Sequence, residues 1–284
     1  MTPLKYLIFL LLLCITTTAN AQSAWFVNPD TEQPTVSADW LKPSFGQFVN
    51  NNYVTTFSSV LFIQGYVPVN DNFAFVADIP ISHWGYNDTI NMDIQDPHTT
   101  IGNIYIGGVY KFNDTANGRF NPSVEIGTRL STMPEPDFPD QRGLLTGFLS
   151  SIDRREAFTE DVVPFFGLFS GDYELNTITT LSFTGGATYW TNVEDVFRDN
   201  QLFLIQRMMV HFDTDELGGR LGLSGKYNVA PSDGLLSELD ITQVWAGVDK
   251  TFSAWTIEAY VRSPLTNSDI QRAFGVRASF AFNP

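Results

Sequence analysis

The residues from Ile270 to Phe282 alternate without interruption. Ile270, Arg272, Phe274, Val276, Ala278, Phe280 and Phe282 fall on one side of an extended chain, and Gln271, Ala273, Gly275, Arg277, Ser279 and Ala281 on the other. Only a strand, with its two-residue period, separates those sets. One side is largely aromatic and aliphatic and the other small or polar, so the two faces of this strand are built for different surroundings. The sequence stops two residues later, at Asn283 and Pro284. This is the pattern expected of the terminal strand of an outer-membrane β-barrel, through which the barrel-insertion machinery would recognise the chain.

The opposite end carries Lys5, an apolar run from Tyr6 to Ile15, and Ala19-Asn20-Ala21. That succession predicts a secretory signal peptide over 1–21, cut before Gln22. A membrane anchor is the weaker reading, because the run falls short of the roughly 20 residues a spanning helix needs. Cys14 is the only cysteine and follows Leu11, Leu12 and Leu13 rather than a lipidation motif, so the exported chain would hold no disulfide and no reactive thiolate. Mean hydropathy is near zero, at -0.05, although 14% of residues are aromatic. A barrel wall reconciles the two numbers, since lipid-facing and lumen-facing residues alternate and their hydropathies cancel. The formal charge of -15 argues against a nucleic-acid partner.

Between these ends the chain divides into strand-length pieces. Residues 22–42, with Pro29 and Pro34, show no regular alternation and are expected to form a periplasmic N-terminal extension; the barrel is expected over 43–284. A first hairpin runs from Thr55 to Val67, turns at Asn70-Asp71-Asn72 and returns with Phe73, Phe75, Ala77, Ile79 and Ile81 on one face. Ile101 to Phe112, Pro122 to Ser131 and Leu217 to Val229 alternate as clearly. The stretch 132–160 is long and irregular, with a helical spacing of Leu144, Leu145, Phe148 and Leu149 between Gln141 and Ile152, and is expected to be an extracellular loop with a short helix. Counting a strand at Pro43 to Asn50 gives an all-β fold, a closed antiparallel transmembrane β-barrel of about 12 strands, with short periplasmic turns and longer extracellular loops. Trp84, Tyr86, Trp190, Trp245, Trp255 and Tyr260 lie near strand ends and are expected in the interfacial girdles. A soluble sandwich is disfavoured, because Phe73, Phe75, Phe280 and Phe282 would need a second sheet to cover them.

Few residues suggest catalysis. Gly222, Gly225 and Lys226 resemble a phosphate loop only superficially, since a glycine is wanted at Arg220 and a Ser or Thr at Tyr227. His83, His98 and His211 have no partner at metal-ligand spacing, and no Ser, His and Asp stand in a nucleophile arrangement. No enzyme activity and no cofactor are expected, and an outer-membrane hydrolase ranks third among the readings. Asp88, Asp93, Asp96, Asp137 and Asp140 could hold calcium but their spacing matches no EF-hand, and a solvated acidic surface is the better reading. Taking each strand's polar phase inward assigns Lys111, Arg129, Arg207, Arg220, Lys226, Arg262 and Arg277 to the lumen with His211. Asp78, Glu125, Glu258 and Asp240 join them as acids. The bases are expected to brace the barrel by pairing with the acids, or to leave a surplus that favours anionic or aromatic-carboxylate solutes.

The run Ile101-Gly102-Asn103-Ile104-Tyr105-Ile106-Gly107-Gly108-Val109-Tyr110-Lys111-Phe112 resembles a strand of the phenol meta-pathway transporter-like family of outer-membrane proteins, with Asn103 where that family often has Asp. The hairpin Gly65 to Ile81, with Pro80, is similar to that family's second strand. The resemblance implies an outer-membrane location and passage of small, often hydrophobic compounds, and it supplies no catalytic residues. The function expected is an outer-membrane channel or transporter for small molecules, in contact with outer-membrane lipid. The alternative is a structural or adhesion barrel whose acidic loops bind a partner.

Overall fold

The computed structural model describes residues 33–45, 58–84, 98–112, 119–133, 147, 154–192, 200–214, 217–229, 240–266 and 270–282. The signal segment and the expected helix at 141–152, apart from Gly147, lie outside these residues, as do the aspartates weighed for calcium. In chain order the strands are β1 (Thr35–Phe45), β2 (Ser59–Pro68), β3 (Phe73–Trp84), β4 (His98–Ile101), β5 (Ile104–Lys111), β6 (Phe120–Leu130) and β7 (Val162–Asn176). They continue as β8 (Thr179–Asn192), β9 (Gln201–Asp213), β10 (Gly218–Asn228), β11 (Ile241–Phe252), β12 (Trp255–Pro264) and β13 (Ile270–Ala281).

Every pairing is antiparallel. β4 and β5 follow one another across Gly102 and Asn103 and both pair with β3, so the thirteen strands fill twelve places. β1 pairs with β13 on one side and β2 on the other, and β2 pairs with β3, which closes the ring. Closure leaves no strand edge to face lipid. The links 69–72, 177–178 and 253–254 gather at one end with Thr35 and Ala281, and the longer connections gather at the other, the end that faces outside in barrels of this kind.

The alternation read from the sequence sets the two faces. On β3, Ala74, Val76, Asp78, Pro80 and Ser82 are buried inside, whereas Phe75 and Ile79 are exposed outside. Ile126 is 68% exposed and Phe165, Leu221 and Phe274 are also exposed on the outer wall. Such a continuous apolar belt is compatible with lipid and not with water.

Four expectations need correction. The first strand begins at Thr35 rather than 43, so β1 takes residues expected in an extension together with Pro43 to Phe45 of the expected strand, the rest of which lies outside the described residues. Val36, Ala38 and Trp40 point out and Thr35, Ser37, Asp39 and Leu41 are buried within; the polar inner set had masked the strand. The strand from Ile101 to Phe112 is broken at Gly102 and Asn103: Gly102 N–H still bonds Pro80 O on β3, but Asn103 N–H turns to Ala157 O. Asp240 is exposed and accepts the Asn228 backbone N–H at 2.8 Å, outside the bore. Of the expected girdle residues, Trp190 and Tyr260 are buried inside at 1% and 6% exposure, and Trp245 also faces inward against Gly222. Tyr260 lies against Gly275, where a Cβ would collide with its ring. Strand parity, not nearness to a strand end, decides which wall an aromatic faces.

Candidate functional site

The chain between β6 and β7 enters the barrel. Arg154, Glu156, Ala157, Phe158 and Thr159 are 0 to 4% exposed, around a short 3-10 helix at Arg155–Phe158. Polar groups so deeply enclosed require partners, and strands from around the wall supply them. Arg154 Nη2 donates to Asp39 Oδ2 on β1 at 2.9 Å, Lys226 Nζ on β10 donates to Glu156 Oε2 at 2.7 Å, and Arg129 Nε on β6 lies 3.6 Å from Glu156 Oε1. With β4 and β5 sharing a place, β1, β6 and β10 are the first, fifth and ninth of the twelve positions. The contacts therefore divide the circumference into thirds, which puts this strap across the axis of the bore.

Backbone contacts fix its height. Asn103 N–H donates to Ala157 O at 2.7 Å, and Asn103 Nδ2 donates to Glu156 O at 3.2 Å and Thr159 O at 2.7 Å. Arg129 Nη1 in turn donates to Asn103 O at 2.9 Å. Gly102 is pressed against Ala157 O and the Phe158 ring, so no larger residue fits there. Phe158 meets Phe62 edge-on at 6.1 Å and joins Leu41, Val60, Ala157, Tyr260 and Ala273 in one apolar cluster. The Arg154 guanidinium lies 3.4 Å from the Phe62 ring centre. Gly147 also packs on Phe158.

Below the strap the interior is uneven. On the β2–β7 side, Tyr66, Ala74, Val76, Tyr105, Val109, Phe166 and Leu168 form a dry cluster that reaches Ile205. The Tyr105 hydroxyl donates to Glu125, and Arg129 Nη2 bonds Asp78 Oδ2 at 2.8 Å with both side chains at most 3% exposed. The β9–β13 side is charged and still reached by water: His211, Arg220 and Arg277 side chains are 21, 16 and 11% exposed. Arg277 Nη1 lies 2.8 Å from Glu258 Oε2, Arg220 Nε lies 3.4 Å from Asp249 Oδ1, and His211 Nε2 lies 3.7 Å from the same oxygen. Asp39 receives the Tyr260 hydroxyl at 2.5 Å and lies 4.0 Å from Arg277, so it ties the strap to this ladder. A cavity of about 640 Å³ opens at the short-turn end between Thr177, Asp213, Thr214, Leu217, Asp249 and Thr251. Outside the strands, Glu160 has its carboxyl held above the usual range by partial burial and by neighbouring Asp161.

The residues singled out from the sequence thus fall into two groups and three separate positions. Arg129 and Lys226 meet through Glu156. His211, Arg220, Glu258 and Arg277 share the ladder, with Arg207 nearby on the same strand as His211, its guanidinium 5.5 Å from the Trp245 ring centre. Glu125 is engaged by Tyr105, Arg262 Nη2 donates to Tyr260 at 3.4 Å, and Lys111 lies 5.6 Å over the Tyr66 ring near the short-turn end. Sequence reading missed Asp39, Arg154, Glu156 and Asp249. The outward triplet Val36, Ala38 and Trp40 could have found Asp39, and the phase Gln243, Trp245, Gly247 could have found Asp249. Nothing periodic marks Arg154 or Glu156.

No protein-family model matches this chain, and no curated protein matches it by sequence. Among solved structures it is similar to an outer membrane channel from Pseudomonas putida F1, at 8% identity over 92% of this chain and 99% of that one, with a TM-score of 0.63. Weaker likenesses are the CymD monoaromatic hydrocarbon channel, at 9% identity over 94% of both chains and a TM-score of 0.49, and the KdgM porin in complex with disordered oligogalacturonate, at 8% identity over 88% and 99% and also 0.49. At such identities the likeness is one of fold. The architecture and its apolar outer wall define the class: a closed, antiparallel, twelve-stranded outer-membrane β-barrel.

Proposed function

We propose that the chain is an outer-membrane channel for small solutes, and that the strap at Arg154–Thr159 is its constriction. The observation that carries this reading is the asymmetry beneath the strap. One side is packed as a core, while the other keeps arginines and a histidine, paired with buried carboxylates, in contact with water along β9 to β13. A wall or an attachment point needs only the bracing of paired charges, whereas cations left in contact with water inside suit a conduit. Solutes pass along that stripe, and its guanidinium groups favour small anions or aromatic compounds with polar substituents. Export by residues 1–21 and insertion through the terminal strand β13 belong to the same reading.

The strap's span across the bore favours one competitor, a sealed structural barrel. Planar-bilayer recording separates the two. Arg154→Met, which removes the charge held by Asp39, is expected to raise the mean conductance of the folded protein severalfold over wild type. Equal and negligible current through both, with no swelling of liposomes in small-solute solutions, would sink the channel.

A further inference from the structure

Glu156 is a carboxylate that the chain has carried into its own barrel, and its surroundings are those of a bound ligand. Lys226 Nζ lies 2.7 Å from one of its oxygens and Arg129 Nε 3.6 Å from the other. Lys226 in turn sits 4.5 Å over the ring of Trp190 and 5.0 Å over that of Phe203. We propose that Lys226 and Arg129, beside Trp190 and Phe203, form a carboxylate-binding site in the bore. Glu156 fills it while the strap is seated, and a small solute with a carboxylate and an apolar body displaces Glu156 and opens the path. The opening step rests on the channel reading above; the binding site does not.

Charge is the first reason. Lys226 and Arg129 side chains are 4% and 0% exposed, and a buried cation stripped of its anion carries a large desolvation cost. Asp78 engages the far side of Arg129 at 2.8 Å, and removing Glu156 takes away a carboxylate 2.7 Å from Lys226, so the strap leaves more readily when another anion takes that place. Fit is the second. Among the described residues Arg129 Nε has no hydrogen-bond partner, and 3.6 Å is too long for one. Glu156 is tethered to the strap, whose backbone Asn103 holds through the Glu156 oxygen at 3.2 Å. A diffusing carboxylate has no such tether and can engage both cations at short distance. Location is the third: Lys226 and Trp190 each stand two residues from the long-loop ends of β10 and β8, at Asn228 and Asn192, the end that faces outside in barrels of this kind.

The test uses the full-length barrel in detergent, with benzoate as probe and benzamide as its neutral isostere, followed by tryptophan fluorescence. Heat-modifiable gel mobility verifies folding of each variant. Removing the internal competitor in Glu156→Gln should tighten benzoate binding about tenfold or more over wild type, as expected when a competent state becomes fully populated. Lys226→Met should abolish the preference for benzoate over benzamide; if it does not fold, Arg129→Gln takes its place with the same expectation. Equal binding of the two probes, or no gain in Glu156→Gln, overturns the site. In planar bilayers benzoate should increase open events of wild type and not of Glu156→Gln, which is open already. Current without discrimination between the probes removes the site and keeps the channel. Tighter benzoate binding with no current in any variant keeps the site and removes the channel.

Discussion

The β2–β7 side and the β9–β13 side of this barrel share one wall and one periodicity, yet they fill the space behind it in opposite ways. The first buries Tyr105, Phe166 and Leu168 against each other, with Tyr105 and Phe166 edge-on at 5.5 Å. The second places Arg220, Arg277 and His211 against Asp249 and Glu258 and leaves them partly wet. Apolar packing contributes stability in proportion to area removed from water, whereas ion pairs reached by solvent contribute little. The difference teaches that one alternating wall can carry a rigid dry core on one side and a partly hydrated charged face on the other.

Substitutions can break that division. Phe166→Ala opens a cavity in the dry cluster and should cost about 3–5 kcal/mol, read from urea unfolding in micelles, with conductance unchanged. Arg154→Met breaks a fully buried pair and should cost about 3 kcal/mol while raising conductance, because it belongs to the strap rather than to either side. Asp249→Asn should cost only about 1 kcal/mol yet shift the reversal potential toward anions, since it removes negative charge from the wet stripe. Lys111→Met, which loses a cation over the Tyr66 ring, should cost about 0.5 kcal/mol and leave selectivity alone. If Phe166→Ala altered selectivity more than Asp249→Asn did, the two sides would not differ in the way described.

What the sequence disclosed is what a two-residue period can encode. The inward and outward sets of β3, β5, β6, β10 and β13 follow from alternation alone, as does the placement of Arg129, Arg207, His211, Arg220, Lys226 and Arg277 on the inner face. Periodicity is a local property and is silent on which inward charge meets which. Asp39 and Arg154 are 115 positions apart, and no spacing rule links them. The strap carries no alternation because it is not a strand, and its 3-10 turn is too short to show a helical repeat. Asp240 went astray for the converse reason: it stands just before the inward Ile241, where the strand has not yet begun.

The place of Asp39 also bears on how the molecule is assembled. It stands on the first strand, yet Tyr260 and Arg277 come to it from the last two, and Arg154 comes from the middle of the chain. Tyr260 and Arg277 reach it only when the first and final strands zip together, so the network around this one carboxylate is completed by the sewing of the seam.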